Sequence, residues 1–260
     1  MIMDTKEENP NFIYDSNIYD SELPYVSILM PTWNRRKFLP LILINLYNMD
    51  YPKDKLELVI YDDHTENPLF NNQEEARVFS NHLKIKVNYV YNKTRHLTIG
   101  EKRNKLVKLA NHKVCINMDD DDIYFSTYIK YSVNLLTDNK AGIVGSPEML
   151  FTFPHYNYET AGIRCEAKRQ CHEATFCFTK KYWKCMGGFN KKGNGEGAKM
   201  IDFNEKSCVK SDITKCMCCV GHVGNTVDKN QFRGANKEAL EMEIPDVYKD
   251  MLNKILEINI

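Results

Sequence analysis

Short apolar runs alternate with amphipathic segments along the first 146 residues of the chain. Runs typical of buried strands lie at 25–31, 56–63, 85–91, 113–118 and 141–146. Segments with helical spacing of apolar residues lie between them, at 35–49, 74–83, from Gly100 onward and at 123–137. Strands that alternate with helices in this way predict βαβ units, and hence an α/β, Rossmann-like fold with a mostly parallel sheet flanked by helices.

The alternation fades beyond that point. The runs MLFTF and ATFCFT predict two more strands, and the glycine-rich stretch 187–197 predicts a loop. Residues 244–258 predict a closing helix, because Val247, Met251 and Ile255 recur at i, i+4 and i+8. We therefore expect one continuous domain made of an N-terminal arm, a regular half, a less regular half and a C-terminal helix, at 1–23, 24–146, 147–235 and 236–260.

Polar residues follow three of the predicted strands at the point where each strand ends. The sequences PTWNR, YDDHT and MDDDD stand at the carboxyl ends of the first, second and fourth strands. Ligands bind to open parallel sheets just beyond these strand ends. The sequence therefore predicts a single binding site along this edge of the sheet.

The run Asp119–Asp122 places four carboxylates directly after an apolar strand. Adjacent carboxylates repel one another unless a cation offsets their charge, and Mn²⁺ and Mg²⁺ prefer oxygen ligands. Alternate residues of an extended segment point the same way, so Asp119 and Asp121 can share one face, and a divalent ion there would offset their charge. The alternative is a solvated acidic turn that caps the helix at 123. An EF-hand Ca²⁺ loop is disfavoured, because its glycine and its final glutamate are missing.

Composition indicates the class of protein. The 260 residues are 43% hydrophobic and 27% charged, as in a folded soluble chain. Lys+Arg and Asp+Glu balance at 35 each, so no net charge attracts nucleic acid or an anionic membrane. No apolar run approaches the roughly 20 residues of a membrane helix, and the acidic N-terminus does not resemble a signal peptide. With nine irregularly spaced cysteines, these features predict a cytoplasmic protein with free thiols, at most peripheral to a membrane.

The ordered motifs VSILMPTWNR, LELVIYDDHT and IGEKRNKLVKLANHKVCINMDDDDIY resemble those of the family 2 glycosyltransferases, which have the GT-A fold. The resemblance is good over 24–146 and weaker over 172–226. It implies that the regular half binds a nucleotide sugar and that the other half binds the acceptor. It also implies that the donor nucleotide is bound by Thr32, Asp62, Asp63, Arg103 and Asp119.

The same resemblance implies a divalent metal, Mn²⁺ or Mg²⁺, held by a D-x-D-type motif. Asp119 and Asp121 of MDDDD would bind the ion, and His222 of CVGHVGNT would complete the site. Asp122 would stand behind these ligands or cap the following helix. A metal at this place stabilises the departing diphosphate as a Lewis acid.

The base that would deprotonate the acceptor is expected in the second half. In the family the pattern GGF…ED carries it, and here GGFNKKGNGEG offers Glu196 followed by Gly197 in place of the expected Asp. Glu196 is therefore the first candidate for the catalytic base, and Asp202 and Glu173 are the alternatives. Trp183 is either a core residue or an aromatic surface on which a sugar ring stacks.

Together these residues predict a metal-dependent, inverting glycosyltransferase of the EC 2.4 class. The donor is expected to be a nucleotide-diphosphate sugar, a UDP-sugar by preference, and the acceptor a hydroxyl of a glycan, a protein or a small molecule. No nucleic-acid partner and no transmembrane segment are expected. The apolar stripe of the last helix is expected to pack on the rest of the domain, and a homodimer formed through this stripe is the alternative.

Three alternatives stay open at this point. A sugar nucleotidyltransferase would use a similar sheet and metal, but PTWNRRKF lacks the usual glycine-rich phosphate loop. A non-catalytic domain that binds a nucleotide sugar or a protein is the second, because the acid expected at Gly197 is missing. A structural zinc site is the third, although Cys216, Cys218, Cys219 and His222 lack the C-x₂-C spacing of common sites.

Overall fold

A computed structural model describes residues 23–63, 66–164, 171–201, 208–225, 227–234 and 242–258. The predicted N-terminal arm up to residue 22 and the alternative base Asp202 lie outside the described residues.

The described residues form eleven strands in two sheets. They are β1 (Val26–Thr32), β2 (Leu56–Asp63), β3 (Lys86–Asn92), β4 (Val114–Asn117), β5 (Ile123–Tyr124), β6 (Ile143–Gly145), β7 (Glu148–Phe153), β8 (Glu159–Arg164), β9 (Cys177–Thr179), β10 (Cys208–Lys210) and β11 (Met217–Val220). The central sheet has the order β10-β6-β9-β4-β1-β2-β3, and the smaller sheet has the order β5-β11-β7-β8. In the central sheet β4, β1, β2 and β3 are mutually parallel, and only β9 runs antiparallel to its neighbours β4 and β6.

Helices cover both faces of the central sheet. They are α1 (Leu39–Asn48), α2 (Gln73–Leu83), α3 (Ile99–Leu109), α4 (Tyr128–Asp138), α5 (Lys180–Cys185), α6 (Ala198–Ile201) and α7 (Asp246–Ile255). α1, α2, α4 and α7 pack on one face, and α3 with the segment 176–201 packs on the other.

The strand sequences explain this layered arrangement. All seven residues of β1 are buried, and neighbouring side chains go to opposite faces, so Ile28 and Met30 join one core while Leu29 joins the other. A strand buried on both faces needs an apolar run rather than an alternating one, which is what the sequence shows. The α/β prediction is confirmed, and the predicted strand ends agree with the structure within a few residues.

The second half differs more from its prediction. The region predicted as one helix over 123–137 begins with the short strand β5, and α4 starts only at Tyr128. The run ATFCFT contributes only the three residues of β9 to a strand. Cys218 and Cys219 are adjacent residues of β11 and so face opposite sides of the sheet, which does not suit one tetrahedral zinc ion.

No helix in the described ranges combines the length and the apolar character that a bilayer crossing requires. Free thiols in these ranges include Cys115, Cys177, Cys185, Cys208, Cys216, Cys218 and Cys219.

The C-terminal helix α7 packs against α1 and the segment after β7. Leu252 and Tyr248 are buried, whereas Val247, which the sequence placed on the packing stripe, is 50% exposed. The Tyr158 hydroxyl donates to the Lys249 carbonyl and lies 2.8 Å from it. The helix therefore docks on its own chain through a face centred on Leu252.

We expect Leu252→Ala to lower the free energy of unfolding by about 2–5 kcal/mol, because it removes a fully buried side chain and leaves a cavity. Val247→Ala is the matched control on the same helix and should change it by less than about 0.5 kcal/mol. Urea unfolding followed by circular dichroism measures both. Equal effects of the two substitutions would contradict the docked position of α7.

Candidate active site

The four aspartates lie in the loop between β4 and β5, at the carboxyl edge of the central sheet. Hydrogen bonds fix both ends of this loop. The Asp119 amide donates to the Tyr124 hydroxyl oxygen at 2.7 Å, and Asn45 Nδ2 donates to the Asp122 carbonyl at 2.9 Å. The acidic run is therefore held in place from the side of the core, and the solvated-turn alternative does not describe it.

Asp121 contacts two basic side chains. Its Oδ2 lies 3.0 Å from His222 Nε2 and 3.3 Å from Arg35 Nη2. His222 Nδ1 accepts a hydrogen bond from the Gly224 amide at 3.0 Å, so Nε2 carries the ring proton and donates to Asp121. Burial alone would raise the pKa of Asp121, but Lys229 and these two partners outweigh it and hold the pKa below its usual range.

Asp122 and Asp120 are the more deeply enclosed members of the run. Asp122 Oδ1 lies 2.8 Å from Lys229 Nζ, and burial raises the pKa of Asp122 to about 6 against the opposing charge of that lysine. Asp120 Oδ1 lies 3.7 Å from Arg35 Nε, and its buried Oδ2 has no hydrogen-bond partner within the described residues. Burial and the charge of Asp121 raise the pKa of Asp120 well above its usual range.

Arg103 joins the acidic loop to the second half of the chain. Its Nη2 lies 3.0 Å from Asp119 Oδ1, and its Nε donates to Glu196 Oε1 at 2.9 Å. Its side chain is 3% exposed. Burial works against the charged form, but Asp119 and Glu196 together raise the pKa of Arg103. The guanidinium is thus a permanently charged connection between the acidic loop and Glu196, which lies 93 residues after Arg103 in sequence.

The start of α3 explains how Arg103 meets Glu196. Thr98 and Glu101 form a capping box that fixes the first turn of the helix. A Cβ atom at Gly100 would lie only 1.7 Å from the Asn190 carbonyl oxygen. Glycine at this position therefore lets the loop 187–197 lie directly on the helix.

Asn104, the next residue after Arg103, anchors the same loop. Its Oδ1 accepts hydrogen bonds from the Phe189 amide at 2.9 Å and from Trp183 Nε1 at 3.0 Å, and its Nδ2 donates to the Phe189 carbonyl at 2.9 Å. Gly188 has φ +78°, and a Cβ there would lie 2.6 Å from Asn104 Oδ1. Trp183 is therefore bound within the packing of the loop and does not line either cleft described below.

Two clefts share the acidic loop as a common wall. The first has a volume of about 350 Å³. It is lined by Pro31, Thr32, Trp33, Arg35, His96, Leu97, Thr98, Ile99, Lys102, Asp119, Asp120, Asp121 and Gly193. Thr32 thus lies where the sequence places it, at the end of β1. The rings of Trp33 and His96 are 4.8 Å apart at this cleft.

The second cleft has a volume of about 280 Å³ and faces the smaller sheet. Asp119 and Asp121 line it as well, together with Asp122 and Lys229. Glu173 and Glu196 also line it, and Met149, Phe151 and Phe232 give it an apolar wall. The structure therefore brings Asp119, Asp121, Arg103 and Glu196 into one place, with His222 directly behind Asp121.

Asp62 and Asp63 lie apart from both clefts. Asp62 Oδ2 accepts hydrogen bonds from the Leu69 amide at 2.7 Å and the Tyr89 hydroxyl at 2.9 Å. Asp63 forms an ion pair with Lys102 and accepts a hydrogen bond from the Leu97 amide. Both carboxylates are fully buried. Their predicted role in nucleotide binding stays a prediction. In the structure Asp63 holds Leu97 and Lys102, which line the first cleft, and Asp62 holds the segment at Leu69.

The clefts carry an excess of acid over base. Six carboxyl groups line them, against four cations, and one of these cations, Lys102, is already paired with Asp63. Within the described ranges, no three His, Cys, Asp or Glu side chains converge closely enough to hold an ion as they stand. Asp121 and His222 form a donor pair 3.0 Å apart, and Asp119 lies on the walls of the same clefts as Asp121.

Sequence reasoning missed two of the cations that stabilise the acidic loop. Arg35 belongs to the motif PTWNR, and a basic residue at a strand end beside a predicted acidic site is a signal that could have found it. Lys229 gives no such signal, because it lies 107 residues from Asp122 and in no recognised motif.

The comparison with known proteins gives the family. A family model described as glycosyl transferase family 2 matches residues 27–181, which is more than half of the chain. This chain belongs to glycosyl transferase family 2. The match includes the acidic loop and Arg103 and ends before the loop with Glu196. Membership of this family leaves the sugar nucleotidyltransferase alternative without support.

Among curated proteins, relatives match only part of this family 2 chain. A poly(ribitol-phosphate) β-N-acetylglucosaminyltransferase TarS of Staphylococcus aureus is 25% identical over 118 residues, 45% of this chain and 20% of the relative. A dolichyl N-acetyl-α-D-glucosaminyl phosphate 3-β-D-2,3-diacetamido-2,3-dideoxy-β-D-glucuronosyltransferase of Methanococcus voltae is 32% identical over 63 residues, 24% of this chain. The match therefore spans about a fifth of the length of either relative.

Solved structures show the same fold. The mannosyltransferase PcManGT from Pyrobaculum calidifontis, in complex with GDP-Man and Mn²⁺, has a TM-score of 0.60 at 18% identity and covers 90% of this chain and 69% of its own. S. aureus TarS 1–349 in complex with UDP-GlcNAc has a TM-score of 0.57 at 16% identity and covers 89% and 71%. The family 2 chain thus has the GT-A architecture expected from its motifs.

We expect Arg103→Met to lower the free energy of unfolding by about 3–5 kcal/mol, because it leaves Asp119 and Glu196 without their buried cation. Arg95→Met is the matched control, since Arg95 is 66% exposed and pairs with Glu101 on the surface at the start of α3. That substitution should leave the unfolding midpoint near its original value. Urea unfolding in metal-free buffer compares the two, and equal midpoints would contradict the central role of Arg103.

Proposed function

We propose that this chain is a metal-dependent, inverting glycosyltransferase that moves a sugar from a UDP-sugar to an acceptor hydroxyl. The observation that carries this proposal is the position of Asp119 and Asp121, which line both clefts at once. A sugar transferred between a donor and an acceptor must lie where their two binding sites meet. Carboxylates at such a place suit a divalent cation that holds an anionic diphosphate.

The first cleft is the proposed donor site. It opens beyond the carboxyl ends of β1 and β4, where nucleotides bind to sheets of this kind. Thr32 and the adjacent ring of Trp33 would contact the nucleoside, and the buried charge of Arg103 behind Asp119 would favour the anionic donor. TarS has been solved with UDP and with UDP-GlcNAc, and this likeness supports a UDP-sugar as the donor.

Asp119, Asp121 and His222 are the proposed metal ligands. Two ligands at right angles on one ion, each roughly 2.1 Å from it, are about 3.0 Å apart. Asp121 Oδ2 and His222 Nε2 have this separation, so the pair fits one ion once the proton between them is released. An imidazole ligand favours Mn²⁺ over Mg²⁺, which prefers oxygen ligands alone. A metal bound there would neutralise the charge that develops on the leaving diphosphate.

The second cleft is the proposed acceptor site. Its apolar wall of Met149, Phe151 and Phe232 would pack against the face of an acceptor sugar or other apolar group. Glu173 and Glu196 stand on the same cleft, and one of them takes the proton of the attacking hydroxyl. Because the two clefts meet at the acidic loop, an acceptor in the second cleft would attack the transferred sugar opposite a diphosphate held in the first, and a single displacement of this kind inverts the anomeric carbon.

Calorimetric titration of the purified chain with UDP, GDP and dTDP, each with and without Mn²⁺, tests this proposal. We expect UDP to bind only with Mn²⁺, because the acidic loop repels an unaccompanied diphosphate. Asp121→Asn should weaken this binding at least about tenfold, since it removes a metal ligand. Asp54→Asn is the control, because Asp54 is exposed in the turn before β2 and remote from the clefts.

Two results would contradict the proposal. The first is that none of the three nucleotides binds under either condition, which would leave the acidic loop a structural element. The second is that UDP binds equally well without Mn²⁺ and to Asp121→Asn, which would remove the metal from the donor site.

A further inference from the structure

Glu173 fills the space of a side chain that is missing at Gly197. Gly197 follows Glu196, at the position where the family pattern carries an acid. A Cβ atom at Gly197 would lie 2.4 Å from Glu173 Cγ and 2.7 Å from Phe176 Cε2. No side chain fits at position 197 while Glu173 is in place. The Gly197 amide also donates a hydrogen bond to Glu173 Oε1 at 3.2 Å.

We propose that Glu173 is the catalytic base, so that the carboxylate expected at position 197 reaches the same place from a different segment. This proposal rests on the glycosyl transfer proposed above. The acceptor O–H proton goes to a carboxylate oxygen of Glu173, and the acceptor oxygen forms a bond to the anomeric carbon. The bond from that carbon to the diphosphate oxygen breaks, and its electron pair leaves with the nucleoside diphosphate.

The contacts of Glu196 suit it to positioning Arg103 and not to taking the acceptor proton. Its Oε1 accepts the Nε–H of Arg103 at 2.9 Å, and its side chain is only 6% exposed. This carboxylate oxygen is thus already occupied by a guanidinium N–H and is less accessible to an acceptor hydroxyl. Glu173 accepts a neutral amide N–H, forms no ion pair within the described part of the chain, and lines the second cleft. Glu196 is thus better suited to positioning Arg103.

The surroundings of Glu173 favour a proton acceptor that works near neutral pH. Burial, and then the negative charge of Glu196, raise the pKa of Glu173 to about 7, although Arg103 opposes them. His172, its neighbour in sequence, stays neutral there because burial lowers the pKa of its imidazole to about 4. The other charged residues that line this cleft are Asp119, Asp121, Asp122 and Lys229. A base is most effective when its pKa lies near the working pH.

The backbone at Glu173 is held firmly. The Glu173 carbonyl accepts a hydrogen bond from Asn117 Nδ2 at 2.7 Å, and the Ala174 carbonyl accepts one from the Tyr128 hydroxyl at 3.1 Å. The Thr175 hydroxyl donates to the His172 carbonyl at 2.6 Å and closes the short turn. These bonds tie the residue to the end of β4, the strand that also carries the acidic loop. A catalytic group needs this kind of support to keep its geometry.

The first experiment separates turnover from donor binding. The panel UDP-GlcNAc, UDP-Glc, UDP-Gal and GDP-Man is titrated with Mn²⁺, and release of nucleoside diphosphate from the donor that binds is measured with water and with simple mono- and disaccharides as acceptors. We expect Glu173→Gln to lower turnover at least about 100-fold, the usual scale for loss of a general base. The dissociation constant of the donor should change by less than about twofold, since Glu173 lies on the second cleft.

Further variants show whether the effect is chemical or structural. Glu196→Gln should weaken donor binding together with turnover, because it releases one of the two partners of Arg103. Glu74→Gln, on the exposed face of α2, should leave both quantities unchanged. The double variant Glu173→Ala/Gly197→Asp returns a carboxylate to position 197 and removes its contact with Glu173 Cγ, so that only the Phe176 ring, 2.7 Å from the new Cβ, has to shift. The turnover of this double variant should be at least about tenfold higher than that of Glu173→Ala.

The pH profile gives an independent readout. A base with a raised pKa must be ionised to act, so kcat/KM of the unaltered chain should fall about tenfold per pH unit below roughly pH 7. This limb should disappear in Glu173→Gln. Turnover of Glu173→Gln within threefold of the unaltered chain, or a parallel loss of donor binding, overturns the assignment while the glycosyltransferase proposal stands. Failure of every donor to bind the unaltered chain overturns both.

Discussion

The ion pairs of Arg103 are the interaction on which the rest of this site depends. Burying a lone guanidinium, here only 3% exposed, is strongly unfavourable. The ion pairs with Asp119 of the acidic loop and Glu196 of the glycine-rich loop offset this desolvation. Because both partners are needed, neither loop can move far without leaving a buried charge unpaired. One helical side chain thus sets the distance between the two halves.

Ion pairs also stabilise the acidic loop against the repulsion between its four carboxyl groups. Arg103, Arg35 and Lys229 arrive from three separate segments, and each meets a different part of the run. Their charges do not fully offset the carboxyl groups of the two clefts, and one oxygen of Asp120 stays buried without a hydrogen-bond partner in the described residues. Such a region is stable enough to fold and still favours one more cation.

The sequence predicted most of the first half, because buried parallel strands leave continuous apolar runs that are read directly, as in β1 and β2. It also identified Asp119, Asp121, Arg103, Glu196 and His222, which do come together. It could not show that Asp62 and Asp63 are both fully buried and paired within the protein, since a strand end fixes the position of each carboxylate and not its hydrogen-bond partners. Nor could it show the crowding at Gly197, where the decisive contact is with Glu173, 24 residues earlier.

Strand order explains why one loop serves two clefts. β4 lies between the parallel strand β1 and the antiparallel strand β9, so its carboxyl end is the seam between the regular half and the other half. On the β1 side the loop borders Thr32 and Trp33, and on the β9 side it borders the turn with Glu173 that leads into that strand. Because β9 runs the opposite way, its beginning, not its end, reaches this edge. Glu173, which lies just before β9, can therefore occupy the space beside Gly197 where the glycine-rich loop has no side chain.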